Sequence, residues 1–249
     1  MFARGKSFRG FLLIVLLAGF IAVATHLWTN ASCAPSPPQA APAQSRAQDK
    51  NRIDRPTSPP YTGDLAIFED PERDKKLQID RVMDLLHIQA GSVVADIGAG
   101  SGWFSVRAAR RVGSRGHVYA EDINAAYSDY IRNRVQREKL ANVQAILGKS
   151  DDPLLPPNSL DAVLLMKTYH EIAEPIVLLR HIRAAMHAGA RLGIIDRNGK
   201  GDDHGLDRGV VIEEARRAGF TLVGDYDFVK PDRVDYFLIF QPSPIATHP

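Results

Sequence analysis

The chain has 249 residues, with 31 Lys and Arg against 29 Asp and Glu and a formal net charge of +2 at pH 7. This length accommodates one large α/β domain, and the near-neutral charge disfavours nucleic acid as a partner, because phosphate backbones are bound by broadly basic surfaces. The single cysteine, Cys33, excludes a disulfide framework, a cysteine-ligated metal cluster and a thiol nucleophile in the rest of the chain.

The N-terminal segment has a basic start and an apolar core. Three cations within the first nine residues precede residues 11–28, which are apolar apart from Thr25 and His26. This pattern is typical of export signals and membrane anchors, so residues 1–33 are predicted to be a signal peptide or a membrane anchor. Because the basic flank stays inside, the remainder is expected to be periplasmic or otherwise extracytoplasmic.

Three fates of this segment stay open. The small residues Ala22-Val23-Ala24 would suit cleavage. Alternatively, the apolar run is nearly long enough to cross a hydrocarbon core of about 30 Å and would anchor the chain if uncleaved. Lipid attachment at Cys33 is the weakest of the three, because Asn30 stands where a bacterial lipobox has an aliphatic residue.

Residues 34–60 are predicted to be a disordered linker. They are rich in Pro, Ala, Gln and Ser and hold almost no large apolar side chains. Such a segment buries too little surface to offset the entropy lost on ordering, and its prolines favour an extended spacer. The folded domain is then expected over residues 61–249.

Hydrophobic periodicity predicts alternating helices and strands in this domain. Ile79, Val82, Met83 and Leu86 have the i, i+3, i+4, i+7 spacing of a helix, predicted over residues 71–88. Further helices are predicted over residues 103–112, 125–139, 175–188 and 210–218. Strands are predicted over residues 92–97, 117–121, 143–147, 161–166, 191–196, 221–228 and 234–240.

Seven strands interleaved with helices predict an α/β fold with a doubly wound, mostly parallel sheet. The last two strands are joined only by a short turn at Lys230-Pro231-Asp232. A connection this short requires an antiparallel pair, so the last strand is expected to run against the others.

A glycine-rich turn follows the first predicted strand, in the sequence Asp96-Ile97-Gly98-Ala99-Gly100-Ser101-Gly102. Ligands of doubly wound sheets bind at the carboxyl ends of strands, where glycines allow close approach to the backbone. The dinucleotide fingerprint would need glycine at position 103, where Trp103 stands, so a pyrophosphate site is disfavoured.

A pair of acidic residues, Glu121 and Asp122, ends the second predicted strand, with Asp122 20 residues after Gly102. A carboxylate there can accept hydrogen bonds from both hydroxyls of a ribose. The alternative is an acid near a helix N-terminus, since Asn124 could cap the next helix.

These two segments resemble the first two motifs of the class I S-adenosylmethionine-dependent methyltransferases, and the similarity covers roughly residues 68–241. The resemblance implies a Rossmann-like sheet of order 3-2-1-4-5-7-6 and S-adenosyl-L-methionine as cofactor. It implies that Gly98, Gly100 and Gly102 face the methionine part and that Asp96 supports the loop and the amino group. Asp122 would bind the ribose.

The other cofactor-binding candidates lie within these motifs or after them in the chain: Ala99, Glu121, Ile123, Asp151 and Lys167. One position departs from the family, which often has an acidic residue just after the third strand to contact adenine. Lys149 stands there, and Asp151 or Asp152 is expected to substitute.

The methyl acceptor is expected next to the end of the fourth strand, where the chain reads Lys167-Thr168-Tyr169-His170-Glu171. His170 is the candidate base because its ordinary pKa lies near neutrality, with Glu171 or Tyr169 as orienting or accepting groups. The alternative for His170 is packing beside the cofactor. Asp196, Arg197 and His204 would line the pocket or lie in a solvated loop.

Three functions stay open. The first is a methyltransferase acting on a small molecule, or less readily on a protein. The second is a non-catalytic cofactor-binding or scaffold protein on the same fold, which gains weight because the cofactor is made in the cytoplasm while the leader predicts export. The third is an NAD-dependent oxidoreductase, disfavoured by Trp103. No metal-ligand spacing stands out, the membrane is contacted only through the N-terminal segment, and a monomer is assumed.

Overall fold

The computed structural model describes residues 51–53 and 55–244. The predicted leader, residues 1–33, and the linker up to residue 50 lie outside the described residues. Within the described part, no helix combines the length and apolar character needed to cross a membrane.

In the described part of the chain, six α-helices alternate with seven strands. The helices are α1 (Arg73–Leu77), α2 (Ile79–Leu85), α3 (Trp103–Val112), α4 (Ala125–Arg137), α5 (Pro175–Ala185) and α6 (Arg208–Arg217). The strands are β1 (Val93–Ile97), β2 (His117–Asp122), β3 (Val143–Leu147), β4 (Leu160–Met166), β5 (Met186–Arg197), β6 (Phe220–Tyr226) and β7 (Asp235–Pro242).

The strands form one sheet of order β3-β2-β1-β4-β5-β7-β6. The pairs β1–β2, β1–β4, β2–β3 and β4–β5 are parallel, whereas β7 is antiparallel to both β5 and β6. The predicted fold class and strand order are confirmed. Reversal of the chain at β4, beside β1, leaves a crevice at the carboxyl ends of the central strands.

Helices cover both faces of the sheet. Val94 and Ala95 are neighbours on β1 and fully buried, yet they belong to apolar clusters on opposite faces. One cluster includes side chains of α5 and α6, and the other includes side chains of α2 and α3. Burial on both sides explains why β1 is an unbroken apolar run until Asp96.

Two predicted helices differ from the structure. The helix predicted over residues 71–88 is divided at Gln78, whose left-handed backbone (φ 48°) ends α1 and begins α2. The helix predicted up to Gly189 ends at Ala185, because Met186 already pairs with Leu160 in parallel register. Strand β5 is therefore twice as long as predicted and includes Gly189.

Residues 55–62, here called the strap, lie against the domain, although residues up to 60 were predicted to be linker. Arg55 forms an ion pair with Glu214 of α6 at 2.8 Å, with both side chains nearly inaccessible. The Ser58 amide donates to the carbonyl of His170, and the Ser58 hydroxyl donates to that of Gly201. These polar contacts hold a segment that has little apolar surface of its own.

Candidate functional site

The turn after β1 brings backbone to the edge of a cavity. Gly98 and Gly100 have left-handed φ values of 67° and 55°, which side chains disfavour. A Cβ on Gly98 would lie 2.5 Å from the side chain of Thr168. The Ala99 amide donates to the carbonyl of Glu121 at 2.8 Å. Glycine is therefore required at position 98 by both conformation and space.

Asp122 is fixed beside this turn by two backbone amides. Its Oδ2 accepts from the Gly100 amide at 2.9 Å, and its Oδ1 accepts from the Asn124 amide at 2.8 Å. Asn124, through its own side chain, caps α4. Each carboxylate oxygen of Asp122 retains a free lone pair, so the group can accept two further hydrogen bonds.

A cavity of about 680 Å³ lies over the carboxyl ends of β1, β2 and β4. This volume lies within the range of small-molecule and cofactor sites. Eight of the predicted cofactor-binding residues line it: Asp96, Gly98, Ala99, Gly100, Glu121, Asp122, Ile123 and Lys167.

Two predicted cofactor-binding residues do not line the cavity. Gly102 begins α3 with φ 72°, and a Cβ there would lie 3.4 Å from Ile131 of α4. That distance is an ordinary contact, so glycine is favoured there by the left-handed backbone before the helix. Asp151 lies beyond Lys149 and Ser150, which do line the cavity, and its carbonyl contacts the His181 ring.

Burial perturbs the acids around the glycine turn. Desolvation raises the pKa of Asp96 to about 6, although the Ser105 hydroxyl donates to its carboxylate at 2.6 Å. Desolvation and the nearby Asp122 charge raise the pKa of Glu121 to about 8. Desolvation also raises the pKa of Asp122. These acidic groups would favour binding of a ligand that is cationic or donates hydrogen bonds.

The residues predicted to be catalytic divide between the cavity and the core. Glu171 lines the cavity, accepts a hydrogen bond from the Tyr61 amide at 3.1 Å, and has a pKa raised to about 7 by burial. His170 lies behind it, buried, with Nδ1 at 2.9 Å from the carboxylate of Asp196. Asp196 is fully buried rather than solvated.

Tyr169, predicted to orient or accept, is placed away from the cavity. Its hydroxyl donates to Glu214 at 2.9 Å in the core, and burial raises its pKa well above the ordinary value. It therefore stabilises the Arg55–Glu214 pair. Sequence spacing could not show this, because Glu214 is 45 residues away in the chain.

The structure adds cavity residues that the motifs did not indicate. The strap contributes several, including Tyr61, and α1 contributes Arg73. The Arg73 guanidinium lies 4.4 Å from the Trp103 ring centroid, and burial lowers the pKa of Arg73, with the charge of Asp96 opposing this in part. No local sequence signal distinguishes Arg73 from other helix-surface arginines.

Trp103 lines the cavity, but its Nε1 is buried and finds no hydrogen-bond acceptor among the described residues. A buried donor without a partner is costly.

Comparison with known proteins agrees with this geometry. Residues 94–189 match a family model described as a methyltransferase domain. Demethylmenaquinone methyltransferase of Listeria welshimeri serovar 6b is 28% identical over 114 residues, which cover 46% of this chain and 48% of that protein. The match thus spans about half the length of this curated relative.

Solved structures share the fold. A SAM-dependent methyltransferase from Aquifex aeolicus is 22% identical, with a TM-score of 0.66 over 73% of this chain and all of that one. The [4+2]-cyclase SpnF is 15% identical, with a TM-score of 0.59 over 79% of this chain and 89% of that one. Residues 94–189 are thus similar to a methyltransferase domain, and the described part of the chain has the Rossmann-like fold of the solved S-adenosylmethionine-dependent methyltransferases.

Proposed function

We propose that this protein transfers a methyl group from S-adenosylmethionine to a small-molecule acceptor. The observation that carries the proposal is the Asp122 carboxylate at the edge of the cavity. The amides of Gly100 and Asn124 hold it in place, and it can accept two further hydrogen bonds. The named relative methylates a quinone precursor, so a quinol ring is the first acceptor class to test.

The lining residues suit each part of the cofactor. Asp122 would accept from the ribose hydroxyls, and Ile123, 46% exposed, offers an apolar surface to the base. Asp96 would face the amino group, and the Arg73 guanidinium is a cation in the lining that could bind the carboxylate. When bound there, the cofactor supplies an electrophilic methyl group on a sulfonium.

The acceptor would lie at the opposite end of the cavity, between the strap and Glu171. Tyr61, Ile172 and Leu178 give this end an apolar lining that excludes water from the reacting groups. Methyl transfer is an in-line displacement, so the contribution of the chain is mainly proximity and alignment. Glu171 is the predicted catalytic residue that reaches the cavity, and it would orient the acceptor.

Two other functions compete with this proposal. The dinucleotide fingerprint of an NAD-dependent oxidoreductase would have a glycine at position 103 for close helix–strand packing, where the buried Trp103 ring stands. A non-catalytic protein could use the same cavity, and the resemblance to the cyclase SpnF shows that this fold carries other activities.

Ligand titration of the full chain tests the proposal. We expect S-adenosylhomocysteine to bind with a dissociation constant in the micromolar range, roughly −8 kcal/mol. Asp122→Ala should weaken binding at least tenfold, because the ribose loses its acceptor. The exposed helix residue Asp129 supplies a matched control, and Asp129→Ala should bind as the wild type does.

Two outcomes would count against the proposal. Tight binding of NADH without response to the sulfur ligands would favour the oxidoreductase. Binding of S-adenosylmethionine without methyl transfer to any of a panel of quinols and phenols would favour the non-catalytic alternative.

We further propose that the domain works outside the cytoplasm. The support is the basic start and apolar run of residues 1–33, which lie outside the described residues. Fusion of a periplasm-dependent reporter enzyme after residue 244 should give an active reporter. An inactive reporter on the full chain, or equal activity with and without residues 1–33, would contradict this location.

A further inference from the structure

We propose that His170, Glu171 and His204 form a binding site for a divalent first-row transition-metal ion. Metal binding by these side chains does not depend on the methyl-transfer function, whereas the class of acceptor inferred from it rests on that proposed function. Their spacing in the sequence gave no indication of such a site.

The three residues come from two loops that the sheet brings together. His170 and Glu171 lie in the turn after β4, and His204 lies in the loop between β5 and α6. One ligand atom from each residue lies within 4.8 Å of the other two. The Nε2 of His170 and Oε1 of Glu171 are 3.9 Å apart. Ligands of a tetrahedral zinc ion are roughly 3.4 Å apart, so only a small closure is needed.

His170 is held in the orientation of a metal ligand. Its Nδ1 lies 2.9 and 3.0 Å from the two carboxylate oxygens of Asp196, and its amide also donates to Asp196. Nδ1 therefore carries the proton, which leaves the Nε2 lone pair directed away from Asp196. A carboxylate on the far nitrogen is the usual partner of metal-bound histidine, because it fixes the tautomer and increases ligand basicity.

The local charge also favours a cation. Asp196 and Glu171 are two poorly accessible carboxylates close to one histidine. Among the described residues, no Lys or Arg forms an ion pair with either of them. Buried carboxylates are normally paired or coordinate metals. A divalent ion between Glu171 and the histidines would supply the missing positive charge.

The strap fastens both loops that carry the ligands. Ser58 donates its amide to the carbonyl of His170, and its hydroxyl accepts from the amide of His204 at 3.0 Å. The exposed His204 ring lies 5.8 Å from that of His170, so it can rotate toward a metal without disturbing the core. The backbone of the site is thus fixed while one ligand stays adjustable.

Two imidazoles and one carboxylate favour zinc, iron or a similar ion over calcium or magnesium, which prefer oxygen ligands. Three protein ligands leave a coordination position for water or substrate. Because Glu171 lines the cavity, the ion would border its acceptor end. An acceptor bearing a hydroxyl or keto oxygen would be the class recognised there.

Zinc binding to the full chain tests the inference. Protein purified without a polyhistidine tag and stripped by a chelator should bind zinc chloride, and His204→Ala should weaken the tightest site at least a hundredfold. His204 is exposed and its structural hydrogen bond uses the backbone, so this variant should fold. His181→Ala, at an exposed histidine of α5, is the control and should retain the wild-type affinity.

Cobalt(II) provides a second measurement that does not depend on affinity. Wild type should give the intense visible bands of a four- or five-coordinate ion, and His204→Ala should lose them. Equal zinc affinity and equal cobalt spectra in wild type and His204→Ala would overturn the proposal. So would a wild-type chain that binds no zinc.

Discussion

The two ends of the cavity are built in different ways. At the cofactor end, the glycine turn after β1 is joined to the end of the adjacent strand β2. The Gly100 amide donates to the Asp122 carboxylate, and the Ala99 amide donates to the Glu121 carbonyl. At the acceptor end, the strap, the turn after β4 and the loop after β5 meet through side chains that are far apart in the sequence. The first end is a property of the fold, whereas the second depends on one N-terminal segment.

If the acceptor end depends on the strap, then the strap must be held by strong contacts. Arg55→Ala should lower the free energy of unfolding by about 3–5 kcal/mol, because it leaves the buried Glu214 carboxylate without its cation. Urea denaturation of the full chain measures this. It is the largest effect that we expect from a single substitution in the strap.

A matched ion pair on the surface gives the control for Arg55. Arg216→Ala removes an Arg–Glu pair in the same helix that carries Glu214, but both partners are largely exposed. We expect no measurable change in stability there. If Arg55→Ala changed the free energy of unfolding as little as Arg216→Ala does, the strap would be only loosely attached.

The buried acids at the cofactor end should make the free energy of unfolding depend on pH. Burial raises the pKa of Glu121 from 4.5 to about 8, so between these values the native state keeps a proton that the unfolded chain has lost. The free energy of unfolding should therefore fall as pH rises from about 4.5 to about 8, by a few kcal/mol from this group. Denaturation curves at closely spaced pH values measure the slope.

Glu121→Gln tests whether this residue causes the slope. The amide has nearly the same shape and cannot ionise, so the variant should be stabilised at pH 8 and little changed at pH 4.5. A slope that survives the substitution unaltered would assign the effect to other groups, such as Asp122 and Asp96, whose pKa values are also raised by burial.

The cofactor end could be predicted from the sequence because its parts are local. Asp96 to Gly100 are contiguous, and Asp122 follows at the spacing set by one helix and one strand. Eight predicted residues accordingly line the cavity. Gly102 does not line the cavity, and sequence could not show this because a glycine that allows a left-handed backbone before a helix and a glycine that allows ligand approach look alike.

The acceptor end could not be predicted in the same way. Residues 55–60 have the composition of a linker, and their attachment relies on Arg55 and Ser58, whose partners Glu214, His170 and Gly201 are more than a hundred residues away. Composition reports how much apolar surface a segment can bury, but it does not report polar contacts made at long range.

Gly98 marks the point where the two ends touch. Gly98→Ala and Gly91→Ala both place a Cβ on a left-handed backbone, but only the Cβ at position 98 meets a neighbour, the Thr168 side chain. Both variants should lose about 1–2 kcal/mol of unfolding free energy because of the left-handed backbone. Gly98→Ala should lose roughly 1–3 kcal/mol more from overpacking. Equal loss of stability in the two variants would show that Thr168 moves freely and that the ends are not coupled.

The smallest effect is expected at the adenine side of the cofactor end. Asp151 was predicted to replace a missing acidic residue, yet it does not line the cavity, and its carbonyl contacts His181 instead. Asp151→Ala should therefore change the affinity for S-adenosylhomocysteine less than twofold, whereas the same Asp→Ala change at residue 122 costs at least tenfold. Isothermal titration of both variants decides between the two positions. A tenfold loss at position 151 would mean that the loop after β3 rearranges around the base, and that even the cofactor end is completed only when the ligand binds.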